Sequence, residues 1–447
     1  GKMGEWKTVK LSEVLRHRKC NIQINNDEEY SLCRVQLHRR GVVLREKKMG
    51  SQIKTKKQQV CRAGDLVVAE MDAKFGGYGF IPDHLESAIV SSHYYLYELD
   101  KNKITQEYFE ILIKTDFIQN QIEAKGSTNY SSIRAWEFLD YEIPLQSIAL
   151  QNSITAKYVK HSRFKEDLGV ELNTQLKYLS QLRQRILQEA VEGKLTDEWR
   201  DKHPDLISGE NHASKLLEKI KTEKERLTKN TKITKKAKAL PPISEEEKPF
   251  DVPVGWAWCR LGDSGVVNPR NYIDDDLEVS FSPMALISEK YGIRPMCETK
   301  KWRNVKKGFT HFAENDVAIA KITPCFENSK ACVFEGLING YGAGTTELHV
   351  LRPIIINEKY IYIFVKTSSF LADGEKKMTG VCGQKRVPVD YFLNALFPLA
   401  PLAEQQAIVE RVDKLMSMID ELEKQVSERK EQLEMLMQSV LKEAFAR

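Results

Sequence analysis

A chain of 447 residues with 41% hydrophobic and 29% charged side chains is expected to hold two or three domains and to be a soluble globular protein. No apolar run approaches the ~18 residues that a membrane span needs, no signal peptide is evident, and eight cysteines without a CxxC pair read as reduced thiols of a cytoplasmic protein. The net charge of +5 permits nucleic-acid binding without demanding it.

From the N-terminus, residues 1–150 read as a strand-like, turn-rich domain. Val60, Leu66 to Ala69, Ala88 to Val90 and Tyr94 to Leu99 are short β-branched or aromatic runs between Gly, Pro and Asp. A short helix is expected from about Glu107 to Thr115. Residues 151–196 then form a long helix, with Leu172, Leu179 and Ile186 at heptad a positions and Leu168 and Leu182 at d. Residues 197–255 read as a basic helix and linker. Lys215 to Lys238 is Lys-rich with scattered Glu, and Pro241-Pro242, Glu245-Glu246-Glu247 and Pro253 follow. That segment reads as a solvated face, with contact to DNA or a partner subunit as the other reading.

A second domain, 256–401, repeats the texture of the first in Val317 to Ile322, Ala331 to Phe334 and Leu348 to Leu351, with a helix expected from Glu358 to Thr367. Residues 402–447 form a second long helix. Val412, Ile419, Val426, Leu433 and Val440 fall every seventh residue, and Leu415, Leu422 and Leu436 take d positions. Gln175 and Arg429 hold the same polar d slot in the two helices, so the pair is expected to form a mutual coiled coil.

The two halves share more than texture. Trp6 and Leu11 return as Trp256 and Leu261, Asp65 as Asp316, Tyr108 as Tyr360, and Pro144 with Gln151 as Pro398 with Gln405; the offsets are 256−6 = 250, 316−65 = 251, 360−108 = 252 and 398−144 = 254. A duplicated α+β unit with a pseudo-dyad suits a target of approximate two-fold symmetry, and duplex DNA is the obvious candidate.

No catalytic signature survives inspection. Val67 to Asp72 with Phe75-Gly76-Gly77-Tyr78-Gly79 looks like a strand entering an S-adenosylmethionine loop, yet Pro82 follows where that fold needs a helix. The second copy has Phe326-Glu327-Asn328-Ser329 there, and Asn268-Pro269-Arg270-Asn271 is no substitute for the amino-methyltransferase tetrapeptide. A phosphate loop and HExxH are missing, and His17 with Cys20 lacks further metal ligands, so neither a catalytic nor a metal site is expected. Basic clusters recur instead. The first copy offers Arg39, Arg40, Lys54, Lys56 and Lys57, then Lys74 and Tyr78 on the glycine loop, then Asn129, Ser131 and Arg134; the second offers Lys300, Lys301, Arg303, Lys306 and Lys307, then Gln384, Lys385 and Arg386. Arg, Asn, Gln and Ser pair with base edges, while Lys neutralises phosphate.

Three phrases carry a family resemblance: Ile186-Leu187-Gln188-Glu189-Ala190-Val191-Glu192-Gly193-Lys194-Leu195-Thr196, Pro253-Val254-Gly255-Trp256, and Phe397-Pro398-Leu399-Ala400-Pro401-Leu402-Ala403-Glu404-Gln405-Gln406. The chain resembles the specificity subunits of type I restriction–modification enzymes over essentially its whole length. The resemblance implies two target recognition domains alternating with two long helices that pair antiparallel as a spacer. Each domain would read one half of a bipartite DNA sequence, with methyltransferase subunits docked along the helices and restriction subunits in the full complex. It also implies that the chain binds no cofactor itself, S-adenosylmethionine, ATP and Mg belonging to the partner subunits. A helix of about 40 residues spans roughly 60 Å, compatible with half-sites about one DNA turn apart. The rival readings are a stand-alone methyltransferase with a degenerate site and a coiled-coil protein that binds DNA without sequence preference.

Overall fold

The computed structural model describes residues 7–125, 132–230, 240–381 and 383–445. The chain falls into two compact units, Gly1–Leu172 with Glu428–Arg447, and Asn173–Ser427. The fold is mixed α+β, and each unit holds one sheet-rich domain and part of both long helices.

In the first unit a four-stranded antiparallel sheet has the order Leu15–Arg18, Tyr94–Leu99, Leu66–Ala69, Tyr78–Phe80. All four residues of Leu66–Ala69 are buried, as a continuous apolar run predicts for a strand covered on both faces. A two-stranded ribbon pairs Lys7–Lys10 with Glu142–Leu145, and a five-stranded sheet runs Asn21–Gln23, Lys57–Val60, Ile89–Val90, Glu29–Val35, Val42–Met49. Trp6 lies outside the described residues.

The second unit builds the first two of these again. Ala257–Arg260 pairs with Leu396–Leu399, and Gly265–Val267, Leu348–Pro353, Val317–Ala320 and Ala331–Val333 form the four-stranded sheet in the same order. The third sheet differs, with four strands ordered Glu298–Lys301, Glu278–Ser282, Tyr341–Gly344, Thr310–Ala313.

The residues that repeat in the sequence prove to be joints of this shared frame. The Tyr108 hydroxyl donates to the Pro144 carbonyl at 3.0 Å, and Tyr360 does the same to Pro398 at 2.6 Å. Both rings are fully buried, so each hydroxyl needs that partner. Gln151 accepts from the Thr105 amide at 2.8 Å and donates to the Gln146 carbonyl; Gln405 accepts from Asn357 at 2.9 Å and donates to Ala400. Thr105 and Asn357 also cap the helices Gln106–Leu112 and Glu358–Val365. Asp65 accepts from the Arg62 amide and Asp316 from Ala313, each closing the turn into the central strand. Each acid also holds an arginine, but from a different strand: Arg18 at the sheet edge in one copy, Arg352 beside the acid's own strand in the other.

The glycine loop has a structural purpose. Residues Ala73 to Gly77 connect two antiparallel strands, and no helix follows. Gly76 has φ +74°, and a Cβ there would approach Arg39 of the loop His38–Gly41 to 2.9 Å. His38 and Arg39 amides donate to the carbonyls of Phe75 and Gly76, so the glycines admit the chain's own backbone.

The long helices are Ile148–Val191 and Leu402–Ala444, against the boundaries 151–196 and 402–447 expected from sequence. Within the second unit Arg183 contacts Met416, Asp420 and Glu423, while Thr196 and Arg200 reach Glu404, so the helices run antiparallel. In the first unit Lys165 pairs with Glu434 at 2.6 Å. Leu172, Ile186, Val412, Ile419, Val426 and Leu433 are buried, and Leu168, Leu179 and Leu415 are half-buried. The d assignment needs correction. Leu182, Leu422 and Leu436 are exposed, and the buried partners of the a row are Met416 and Met437, four residues after an a position rather than three.

The linker also differs from its expectation as an exposed helix and extended tail. Helix Ala213–Asn230 buries Ala213, Leu216 and Ile220 in the second domain's core. Lys224 is half-buried with its Nζ on the Gly262 carbonyl, and desolvation lowers its pKa. Pro241 and Pro242 accept from the buried Arg260 guanidinium, which also pairs with Glu247 at 3.2 Å. The end of the first long helix is fastened by Glu404, fully buried, which accepts from Trp256 Nε1 and Thr196 Oγ1, both at 2.7 Å, and from Arg200. Thr196, Trp256 and Glu404 each belong to one of the three family-like phrases.

Candidate nucleic-acid interface

On the second domain the basic cluster is largely neutralised. Lys300 lies 3.2 Å from Glu298 and over the Phe281 ring at 3.8 Å. Lys301 and Arg303 turn to Asp276, and Lys306 to Asp275 at 2.6 Å, leaving only Lys307 of this group exposed without an ion pair among the described residues. A phosphate at these positions would have to displace carboxylates.

Beside them opens a polar cleft of about 320 Å³, framed by Asn268–Arg270, Gly308–His311, Lys321, Thr346 and Leu348. Arg270 is exposed and donates to the Phe309 carbonyl at 3.3 Å, and Lys321 is half-buried at the cleft wall; neither has an ion pair among the described residues. His311 is fixed by the Asn271 amide and the Lys306 carbonyl, and burial lowers its pKa. Arg386 grips Glu347 with both arms, at 2.8 and 2.9 Å, and that hydrogen bonding holds the Glu347 carboxyl below its ordinary range. Gln384 and Lys385 are exposed on the turn before it. Spacing alone missed Arg270, Lys321 and Glu347; Lys321 sits right after the duplicated apolar run, which was the available signal.

On the first domain the candidates scatter. Arg39 is tied to Asp116 at 2.9 Å and to the Thr115 carbonyl. Lys56 staples its own loop through Asn26 and the Gly50 carbonyl. Arg40, Lys54 and Lys57 are exposed, while Gln58 and Gln59 are buried. Tyr78 is withdrawn as a DNA contact: its ring is fully buried and its hydroxyl donates to Gln119 at 3.2 Å. Lys74 is half-buried beside the Phe75 ring, and His17 packs against Tyr95 and Tyr97. Asn129 and Ser131 lie outside the described residues. Arg134 is exposed as the N-cap of helix Ala135–Leu139.

Backbone hydrogen bonds align the two copies here. The Glu70 amide donates to the His93 carbonyl and the Lys321 amide to Glu347; the Ile133 amide donates to the Glu70 carbonyl and the Val387 amide to Lys321. Glu70, His93 and Ser132 therefore stand where Lys321, Glu347 and Arg386 stand, by offsets 321−70 = 251, 347−93 = 254 and 387−133 = 254. Arg134 corresponds to Pro388, the N-cap of Val389–Asn394, rather than to Arg386. In the first copy the side chains pair as His93 Nδ1 with Glu70 at 2.9 Å.

Comparisons with known proteins agree with this architecture. Residues 253–434 match the family model of the type I restriction modification DNA specificity domain. Over 250 residues, 55% of this chain, the sequence is 52% identical to the specificity subunit of the type I restriction enzyme EcoAI and 48% identical to that of EcoEI, both from Escherichia coli. The chain spans about two fifths of the length of those relatives (41% of each). In fold it resembles a chain from a structure of complex assembly and conformational transition of the type I R-M system, at 17% identity, with TM-score 0.59 over 98% of this chain and 97% of that one. It also resembles the HsdS subunit of Thermoanaerobacter tengcongensis, at 18% identity, with TM-score 0.51 over 98% and 96%. Residues 253–434 are thus similar to the DNA specificity domain of type I restriction–modification systems.

Proposed function

We propose that this chain is the DNA-reading subunit of a type I restriction–modification complex, that each sheet-rich domain reads one half of a bipartite target, and that methyltransferase subunits dock on the long helices. One observation carries the reading: the frame residues are the same in both domains, while the polar side chains on the matching surface differ. A duplicated frame with two different faces suits two different half-sites. The long helices add support for docking. Phe164, Val170 and Tyr178 on the first and Met418, Leu422 and Met435 on the second are exposed large apolar side chains, an unusual density for a solvated helix. Catalysis, and with it S-adenosylmethionine, ATP and Mg, belongs on this reading to the partner subunits. Among the described residues no helix is long and apolar enough to cross a membrane.

The test is methylation of DNA by the methyltransferase subunits with and without this chain. Methylation at one bipartite sequence only when the chain is present is expected. Methyl transfer by the chain alone, or sequence-independent methylation in its presence, would overturn the proposal.

A further inference from the structure

We propose that Glu70, His93 and Ser132 in the first domain, and Lys321, Glu347 and Arg386 in the second, are the matching positions that discriminate bases, one set for each half-site; this rests on the DNA-reading function proposed above. The two sets hold equal places and carry opposite chemistry. Two backbone hydrogen bonds in each copy align these positions at the end of the buried central strand, Ser132 and Arg386 being placed by the bonded residues Ile133 and Val387 that follow them. Structural positions on a shared frame keep their side chains, as Tyr108 and Tyr360, Gln151 and Gln405, and Asp65 and Asp316 do. Here the side chains exchange charge instead: Glu70 becomes Lys321, and the neutral Ser132 becomes Arg386. None of the six is buried.

The chemistry then separates the two half-sites. Arg386 presents a planar fork that fits the O6 and N7 acceptors of guanine, while Lys321 brings a compact ammonium without that fork to the wall of the adjoining cleft. Glu347 accepts from Nε and Nη2 and the Gln384 carbonyl from Nη1 at 3.2 Å, which leaves one N–H on each terminal nitrogen to face a base; Glu347 thereby acts as a positioning residue, holding the guanidinium in one orientation. In the first domain Glu70 offers only acceptors and suits the exocyclic amine of cytosine or adenine, with His93 fixing its carboxylate. The second domain's half-site should therefore contain a guanine that its Arg reads, and the first domain's an amine-bearing base at the corresponding place.

The experiment uses the assembled complex with its methyltransferase subunits, acting on a library of duplexes randomised in each half-site in turn, with methylated positions read by sequencing. Arg386→Ala should lower discrimination for guanine at one position about tenfold and leave the other half-site unchanged. Arg386→Lys keeps the charge but loses the fork; it should relax the same position and decides the matter if the alanine variant assembles poorly. Glu347→Gln should relax that same position more weakly, with DNA affinity for random sequence retained. Glu70→Gln should relax one position of the opposite half-site. Unchanged base preferences in Arg386→Lys and Glu70→Gln, with methylation retained, would overturn this assignment while leaving the DNA-reading function intact. A complex with no sequence preference before any substitution would instead remove the function on which the assignment rests.

Discussion

At the first turn of the second long helix stands Glu404, fully buried and holding Trp256, Thr196 and Arg200, whereas the same place in the first copy is Leu150, an exposed side chain. The equivalence is secure because the next residue, Gln151 or Gln405, makes the same two backbone contacts in both copies. Duplication thus conserved the joints that set the backbone and released the rest. One copy put a buried polar clamp at this place, and the other left it apolar and open. The same logic runs through Lys366 against Lys114, and through Lys321 against Glu70.

The largest test of this contrast is Glu404→Ala. Removing the carboxylate takes a buried acceptor from Trp256, Thr196 and Arg200, leaving Arg200 only the exposed Asp197 and the Thr196 hydroxyl, and breaking one side of a buried ion pair costs about 3–5 kcal/mol. Leu150→Ala, at an exposed position, should cost less than about 1 kcal/mol. Urea unfolding of the two variants measures the difference, and equal losses would break the comparison.

The corrected helix seam gives the next. Ile419→Ala empties a buried site and should cost about 2–5 kcal/mol. Leu422→Ala, three residues on but exposed, should cost under about 1 kcal/mol and instead weaken the proposed association with methyltransferase subunits, as a pull-down would show.

The third is a pH dependence at one place in the second copy. His349 is buried against Phe392, with Nε2 on the Val387 carbonyl, and burial lowers its pKa to about 4. A depressed folded pKa means the imidazole's contribution is complete above its unfolded value of about 6.5 and is lost as pH falls toward 4, on the order of 3 kcal/mol in all. Strand pairing puts Tyr95 at this place in the first copy, so no such loss arises there. Denaturant midpoints at pH 7 and pH 4.5 should separate far more in the wild type than in His349→Gln; parallel shifts would refute the assignment.

The smallest effect compares two lysines. Lys366 is buried, with its pKa lowered to about 8 by desolvation, and donates to the Glu289 and Ser329 carbonyls. Lys366→Met strips two carbonyls of their donor and should cost about 1–3 kcal/mol. The exposed Lys114 reaches only the Tyr158 hydroxyl at 3.5 Å, so Lys114→Met should stay within about 0.5 kcal/mol. Thermal melts of the two variants check this.

These contrasts also show what the sequence disclosed. Asp65, Tyr108, Pro144 and Gln151 were legible because a frame residue must keep its chemistry in both copies. The heptad a row was legible for the same reason, since burial demands apolar side chains at a fixed period. The d row slipped because Leu415-Met416 and Leu436-Met437 are adjacent apolar pairs, and only the partner's packing decides which of each pair turns inward. Tyr78 looked like a loop residue because periodicity could not show that the glycines around it admit the His38–Gly41 backbone. The basic clusters misled in another way: counting lysines cannot reveal that Asp275 and Asp276 lie across from them. The positions assigned to base discrimination were hidden because their side chains do not repeat, which is the property that marks them.

Replacement of the first sheet-rich domain, strand Lys7–Lys10 through strand Glu142–Leu145, by the equivalent segment of a type I specificity subunit tests the central claim most directly. The modified bases would be mapped in a host supplying the methyltransferase subunits. The account predicts that one half of the recognised sequence changes while the other half and the gap between them stay as they were. A change in both halves, or in neither, would contradict it.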